Sequence, residues 1–404
     1  MLSHFEKARA LGDWLLNRHN LSLTYPADDP RHGIPAGNDE GDTFIGTEYD
    51  DGTHWLHYYA SAAESYRGFM ELGAVWERIG RTVARDDVAA HGAELLAAAP
   101  LLRRALHASL NLTTQATGNP AAPRCVPTVA DPRSDNASVC DQSCSFRSYS
   151  EMMYAGVLTR QQVDDIYSFG RNGSSGNYRF VTLGSPGYNH KQTTYTAYGW
   201  AFGLLQHDFV SRYLLHWFAM SAHTFTRGTW TTPEATHPDR DVASTAYVAA
   251  GLLTAPLYLK WALVFEDPES RTIWLAKALP RDWLDAGQTV VAAHVPTRHG
   301  RVSMVLKSVA ASLSSPYQVH ANVTLPAKGF VDDKPPGGLR LRLRVPSQYA
   351  GRLSAVAVGG IPWAAYNATA ETIDFAADKL TPALLGRMQS IVASFSTSQL
   401  SINT

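Results

Sequence analysis

The spacing of apolar residues changes near residue 273, and this change limits the folds that the chain can adopt. In the first part, apolar residues recur every three or four positions, which places them on one face of a helix. The clearest such stripe contains Tyr58, Ala62, Tyr66, Phe69, Leu72, Trp76, Ile79 and Val83. In the second part they alternate with polar residues, as in LRLRLRV at 339–345, which is typical of half-buried antiparallel strands. The pattern therefore predicts a helical domain at 1–272 followed by a β domain at 273–404.

The helical domain is expected to contain several buried helices joined by polar loops. They are predicted near the N-terminus and at 58–83, 88–112, 150–167, 192–207, 209–225 and 241–265. The segment 88–112 is predicted as one helix or as a helix pair broken near Pro100, and Pro256 is expected to kink the last helix. Gly199 and Gly203, four residues apart, would let their helix approach a neighbour closely. Helix pairs alternating with loops, without a parallel sheet, fit an α/α toroid, whose loops converge on a central cleft.

The β domain is expected to be an antiparallel β-sandwich, because short strands alternate with Gly and Pro turns. Its strands are predicted at 289–296, 301–309, 318–325, 339–345, 353–358, 372–375 and 390–395.

Charge and composition exclude some partners. The chain has 404 residues and a net charge of −1, and its basic residues are scattered, so we expect no nucleic-acid partner. No uninterrupted apolar run is long enough for a membrane span. Ten Trp and eighteen Tyr would suit stacking on sugar faces, and equally would fill a core. The oligomeric state is left open.

Six of the twelve Asn lie in N-x-S/T sequons, more than chance would place there: Asn20, Asn111, Asn136, Asn172, Asn322 and Asn367. This excess predicts a glycoprotein that is secreted or lies in the secretory lumen, with its signal peptide outside this chain. Cys125, Cys140 and Cys144 lie in a polar segment at 113–148, which is expected to be an insertion. They allow one disulfide and one thiol, or three free thiols.

Three polar loops are candidates for a functional site, because catalytic groups concentrate on loops held by a rigid scaffold. The first, TRGTWTTPEATHPDRD at 226–241, joins two apolar helices. The second, at 25–51, is rich in Gly, Pro and Asp, and a calcium loop is its main alternative, although the EF-hand spacing is absent. The third is LGSPGYNHK at 183–191.

Several segments together resemble six-hairpin glycosidase-like proteins. They are TAYGWAFGLLQHD, TRGTWTTPEATHPDRD, LYLKWALVFEDP, IWLAKALPRDWLDAG and VPTRHGRVSMVLKS, within 193–308. RGFMELG and the loop at 33–52 resemble that family more loosely, and the cysteine insertion does not. The resemblance implies an (α/α)6 toroid with a terminal β-sandwich and a glycoside hydrolase or sugar phosphorylase activity. A full toroid has about twelve helices and this chain has fewer candidates, so the toroid is expected to be incomplete.

Glycoside hydrolysis needs one protonated and one ionised carboxyl group on opposite sides of the scissile bond. Glu234 is the expected general acid, because Trp230 and Pro233 could provide apolar surroundings. Asp39 or Glu40 is the expected second group. The predicted substrate contacts are Asp42, Trp55, His190, Trp200, Arg227, Trp230 and His237. Glu234 has a structural alternative, which is to cap the following helix or to pair with Arg227 or Arg240.

Two other functions remain open. A polysaccharide lyase on the same toroid would use Tyr188, His190, Tyr195 or His237, and a non-catalytic carbohydrate-binding or scaffold protein would need no carboxylate pair. Nucleotide-binding, acyl-transfer and zinc-protease motifs are absent. No cofactor and no metal site are predicted.

Overall fold

The structure, a computed structural model, describes residues 2–37, 55–130, 148–172, 192–193, 197–224, 231–236, 247–313, 315–325, 334–381 and 384–396. The chain divides into two compact units, Met1–Ala255 and Pro256–Thr404. The first is mainly helical and the second is rich in antiparallel strands, which confirms the predicted order of helices before strands. The second unit begins within the last helix, whereas the sequence-based division lies at 272/273.

The helices of the described residues are numbered in chain order. They are α1 (Phe5–Ser22), α2 (Tyr59–Thr82), α3 (Asp86–Thr113), α4 (Ser148–Tyr154), α5 (Arg160–Asn172), α6 (Tyr198–Gln206), α7 (Val210–Thr224), α8 (Ala249–Leu252) and α9 (Thr254–Leu263). Among the described residues, no helix combines the length and the apolarity needed to cross a bilayer.

Helices α2 and α3 pack against each other along much of their length. The predicted stripe on α2 is buried at Ala62, Phe69 and Trp76. Close approach depends on glycine, because a Cβ on Gly80 would lie 2.4 Å from the backbone nitrogen of Ala89. Helix α3 is continuous with Pro100 inside it. Its division into two helices is therefore excluded.

Helix α6 packs on α4 through the two glycines that the sequence singled out. A Cβ on Gly199 would lie 1.7 Å from the Ser150 carbonyl oxygen, and one on Gly203 would lie 2.9 Å from the Met153 Cβ. The backbone N–H of Gly199 also donates to Ser150 Oγ at 3.0 Å. The prediction of a close helix approach at these positions is confirmed.

Two predicted helices are shorter than expected. Gln192 and Thr193 form a short strand, and α6 begins only at Tyr198. The apolar run predicted as one helix at 241–265 contains the short α8, then α9, and ends in a strand at Val264–Glu266. Pro256 lies in the first turn of α9, where its missing N–H has no helical partner to lose. The predicted helix is therefore interrupted just before Pro256, between α8 and α9, instead of being kinked within one continuous helix.

The described strands of the first unit form two small antiparallel pairs. Strand β1 (Gln115–Ala116) pairs with β2 (Arg124–Cys125), and β3 (Gln192–Thr193) pairs with β4 (Ala235–Thr236). Cys125 is fully buried and disulfide-bonded. The sequence offers Cys140 and Cys144 as its partners, and both lie outside the described residues. Three free thiols are therefore excluded.

The strands of the second unit are β5 (Val264–Glu266), β6 (Ile273–Leu275), β7 (Thr289–Thr297), β8 (Gly300–Val309), β9 (Tyr317–Thr324), β10 (Leu339–Arg342), β11 (Leu353–Val358), β12 (Ile361–Pro362), β13 (Tyr366–Asn367), β14 (Thr372–Phe375) and β15 (Met388–Phe395). In the described part they form a six-stranded antiparallel sheet of order β12-β11-β15-β9-β8-β7 and a five-stranded sheet of order β13-β14-β10-β6-β5. Each predicted strand is present.

The five-stranded sheet is not wholly antiparallel, because β6 and β10 pair in parallel, with Leu341 opposite Leu275. The prediction of a purely antiparallel domain is wrong at this pair, which includes a short strand that the sequence pattern did not show. Residues of both sheets, such as Leu275, Leu341, Leu306 and Val319, belong to one hydrophobic core.

Candidate functional site

Glu234 lies in the segment 231–236, between α7 and α8. Its neighbours fix the backbone, since Thr232 is fully buried and its carbonyl accepts a hydrogen bond from the N–H of Val248 at 3.1 Å. On the other side Ala235 pairs with Thr193 in the small sheet of β3 and β4. The Glu234 side chain is half-buried. The carboxyl group predicted as general acid is therefore carried by an anchored segment.

Most of the other predicted site residues lie outside the described part of the chain. They are Asp39, Glu40, Asp42, His190, Arg227, Trp230 and His237. The pairing of Glu234 with Asp39 or Glu40 stays a prediction, as do the contacts assigned to the remaining five.

The two ends of the acidic loop are held together although its central residues are not described. Gly37 and Leu56 exchange backbone hydrogen bonds of 2.9 and 3.1 Å. Next to them, the buried His57 places its Nδ1 2.5 Å from the Ile34 carbonyl oxygen. Its ring also packs edge-on against Tyr25, with ring centroids 5.3 Å apart. The loop that carries Asp39, Glu40 and Asp42 therefore starts and ends at one anchored point.

Two of the predicted stacking residues are described, and both contact other side chains. The half-buried Trp55 ring packs edge-on against Trp14, with centroids 6.0 Å apart, and the Arg18 guanidinium lies 4.8 Å from its centroid. Trp200 is only 5% exposed and its ring lies 6.0 Å from that of Tyr149. In this conformation Trp200 offers little ring face to a ligand. Its role in stacking stays a prediction.

A second group of ionisable residues, which we call the α2–α6 cluster, consists of Glu64 and Arg67 on α2, Glu151 and Tyr154 on α4, and Tyr198 on α6. The Arg67 guanidinium lies 3.9 Å from the centroid of the Tyr154 ring and donates to the Tyr154 carbonyl oxygen. The rings of Tyr154 and Tyr198 meet edge-on at 4.9 Å. Three helices thus bring these side chains together.

Arg67 is held in place by its own helix as well as by α4. Its Nε donates to Glu71 Oε1 at 2.9 Å, one helical turn away. The guanidinium also lies 5.4 Å from the Phe202 ring centroid on α6. The positive charge therefore lies between aromatic rings, a position in which cation–π attraction adds to the ion pair.

The electrostatics of the α2–α6 cluster link its members. Desolvation raises the pKa of the Glu64 carboxyl above its ordinary value, and the charge of Arg67 opposes this rise. Part of the Glu64 side chain still reaches solvent, so the desolvation is partial. Burial raises the pKa of Tyr198 strongly, and the negative charges of Glu64 and Glu151 raise it further.

The α2–α6 cluster was not predicted from the sequence. RGFMELG, which contains Arg67 and Glu71, entered only as part of the family resemblance. The signal present in the sequence is ESYRGFME, where acidic and basic residues lie three and four positions apart on one helix face. That signal is typical of any solvated helix, and only the packing of α4 and α6 places two tyrosines and Glu151 beside it.

The chain has also been compared with known proteins. No protein-family model matches it, and no curated protein matches it.

Proposed function

We propose that this chain is a glycoside hydrolase that acts through a pair of carboxyl groups in its helical unit. The observation that carries the proposal is the upward-shifted pKa of Glu64, beside Arg67, two tyrosines and a second carboxylate, Glu151. Desolvation shifts the pKa of a carboxyl group upward, which is the direction that a general acid for glycoside cleavage requires. Aromatic rings beside carboxyl groups suit the binding of a sugar, which has apolar faces and polar edges.

The proposal contains two candidate acids. Glu64 is supported by its pKa, and Glu234 by the sequence and by its anchored, half-buried position. Asp39 and Glu40 remain the candidates for the ionised partner, which would act as base or nucleophile. The short ladder of β3 and β4 connects the segment that carries Glu234 with the chain leading into α6. Ala235, beside Glu234, pairs with Thr193, and α6 begins shortly afterwards at Tyr198.

The architecture in the proposal is an incomplete α/α toroid followed by a β-sandwich. The close packing of the sequence neighbours α2 and α3 supports the first part, because toroids are built from such helical hairpins. The shared core of two sheets supports the second. The disulfide at Cys125 and the six sequons support a secretory location, where thiols are oxidised and Asn residues are glycosylated.

The activity test uses chromogenic glycosides and a panel of polysaccharides assayed for new reducing ends. Glu64→Gln, Glu234→Gln, Glu40→Gln and Asp39→Asn each keep the side-chain shape but remove the ionisable group. Loss of a general acid or base should lower turnover by at least about 10²-fold. Glu77→Gln is the matched control, because Glu77 is also on α2 and pairs only with the exposed Arg81 in the described structure.

The pattern of losses selects the residues. Loss in Glu64→Gln with normal rates in Glu234→Gln assigns the acid to Glu64, and the reverse assigns it to Glu234. Normal turnover in all four variants, or no turnover of any glycoside by the wild type, would contradict the proposal. Ultraviolet-absorbing products from uronic-acid polymers would instead support the lyase, whose candidate residues lie outside the described part.

A further inference from the structure

Asp13 on α1 and His91 and Glu94 on α3 bring three possible metal ligands to one point, and none of them is among the proposed catalytic carboxyl groups. His91 Nδ1 lies 3.6 Å from Asp13 Oδ1 and 3.7 Å from Glu94 Oε2. The three ligand atoms all lie within 4.8 Å of one another. His91 and Glu94 are three residues apart on one helix, which places them on the same face.

The imidazole of His91 is the unusual member of this group. Its side chain is only 5% exposed, and its Nε2 is buried without a hydrogen-bond partner. The Nδ1 atom points towards two carboxylate oxygens, yet both distances exceed those of a normal hydrogen bond. Nδ1 makes no hydrogen bond in the described structure, so its lone pair is open to a ligand, whereas Nε2 stays buried without a partner whether or not Nδ1 binds one.

The packing around His91 fixes the direction of the ring. A Cβ on Gly12 would lie 2.9 Å from His91 Nε2, so glycine at this position lets the α1 backbone lie against the imidazole. Phe5 contacts the ring edge-on, with centroids 6.1 Å apart. These contacts leave Nδ1 facing the surface, where Asp13 and Glu94 are about half or more exposed.

From this geometry we propose that Asp13, His91 and Glu94 bind a divalent transition-metal ion, with Zn²⁺ as the preferred ion, and that the ion ties α1 to α3. One imidazole nitrogen and two carboxylate oxygens suit zinc, whereas calcium and magnesium prefer oxygen ligands alone. Ligands about 2.0–2.2 Å from a tetrahedral zinc lie roughly 3.4 Å apart. The nitrogen–oxygen distances of 3.6 and 3.7 Å need only a small contraction, and the two carboxylate oxygens, which lie within 4.8 Å of each other, must also move closer. The exposed side leaves room for water.

One nearby charge opposes the metal. Arg9 Nε lies 3.5 Å from Asp13 Oδ2, and Arg9 also lies 4.0 Å from Glu6. Arg9 therefore uses the second oxygen of Asp13 and leaves Oδ1 for the ion. Its side chain is about half exposed, so solvent weakens its repulsion of a cation.

The test measures metal binding by the full chain after removal of metals with a chelator. Calorimetric titration with Zn²⁺ gives the affinity, and the visible absorption of bound Co²⁺ reports the ligand geometry. Asp13→Asn and Glu94→Gln change exposed side chains and preserve the fold, and each should weaken binding at least about 10-fold. Zn²⁺ should also raise the unfolding temperature of the wild type. His91→Gln removes the third ligand, but its buried position makes the two carboxylate variants the primary test.

Glu6→Gln is the matched control, because Glu6 is an exposed acid on the same helix and should leave binding unchanged. Wild-type affinity in both Asp13→Asn and Glu94→Gln would overturn the proposal, as would the absence of Zn²⁺ binding by the wild type. Binding that persists in these variants would place the ion elsewhere, for example at a free cysteine. None of these outcomes depends on glycoside turnover, so the test is independent of the proposed hydrolase activity.

Discussion

Glu64 lies on an exposed position of α2, yet its carboxyl is surrounded by enough protein to raise its pKa above the ordinary value of 4.5. Arg67 provides only partial compensation, because its guanidinium also interacts with Glu71 and the Tyr154 ring. Natural proteins retain such unfavourable charges mainly where function requires them. If the ionised Glu64 carboxyl lowers the stability of the fold but is needed for turnover, the residue is retained for function.

The raised pKa of Glu64 predicts how stability depends on pH. The folded chain binds this proton more tightly than the unfolded chain, so the stability contributed by Glu64 is greatest below pH 4.5 and falls as pH rises through the raised pKa. Glu64→Gln removes the charge and should raise the unfolding temperature at pH 7, with little change at pH 4. Thermal unfolding at both pH values tests this. A lower unfolding temperature at pH 7 would show that the ionised carboxylate stabilises the fold.

At the residue scale, sequence reasoning succeeded where one residue type has one physical use. Gly199 and Gly203 could be identified because glycine is the residue that permits a close approach of helix backbones. Glu64 and His91 could not be identified in this way, because exposed acidic residues and single histidines occur throughout the chain. The proposed role of Glu64 depends on its neighbour Tyr198, and that of His91 depends on Asp13. Both neighbours are distant in sequence from the residue they affect.

At the element scale, the contact of α4 with α6 depends on two glycines of α6, Gly199 and Gly203, which have no side chain at the contact. Gly199→Ala would place a methyl group 1.7 Å from the Ser150 carbonyl oxygen, so the helices must separate. We expect a loss of about 1–3 kcal/mol in the free energy of unfolding, the usual cost of overpacking. Urea denaturation followed by circular dichroism measures it.

The matched control for that substitution is Gly68→Ala on α2. A Cβ at Gly68 would meet no atom within 4 Å, so alanine should stabilise the helix by about 0.5–1 kcal/mol through its lower conformational entropy in the unfolded chain. Equal effects at the two positions would contradict the packing of α4 against α6 described above.

Proline had different effects on the two predicted helices that contain it. Of the two alternatives at Pro100, a single continuous α3 is observed, whereas the run that contains Pro256 is interrupted between α8 and α9, just before that residue. A helix packed over a long interface can accommodate the loss of one backbone hydrogen bond at a proline. The run at 241–265 is predicted as one helix but ends in the strand β5. A buried helix and a buried strand have the same apolar composition, so the sequence pattern does not distinguish them.

At the scale of the whole molecule, each unit has its own interior. The described members of the core that contains Leu306 all belong to the second unit. Leu306→Ala should therefore lower the stability of that unit by about 2–5 kcal/mol, the cost of a cavity at a fully buried leucine. Hydrogen exchange measured peptide by peptide should become faster in β8 and β9 and stay unchanged in α2 and α3.

Val305→Ala is the control for Leu306→Ala, because Val305 is adjacent on β8 but 37% exposed. Its effect should stay below about 1 kcal/mol. Faster exchange in α2 and α3 after Leu306→Ala would show that the two units unfold together and that their stabilities are coupled.

The sequence by itself determined the order of the two units, the positions of most β strands and the close contact at Gly199 and Gly203. These follow from the period of apolar residues and from the special geometry of glycine, which are local properties. Only the tertiary structure decided the parallel pairing of β6 with β10, the α2–α6 cluster around Glu64, and the meeting of Asp13 with His91. Each of these joins residues far apart in the chain, and the spacing of residues along a sequence carries no record of such contacts.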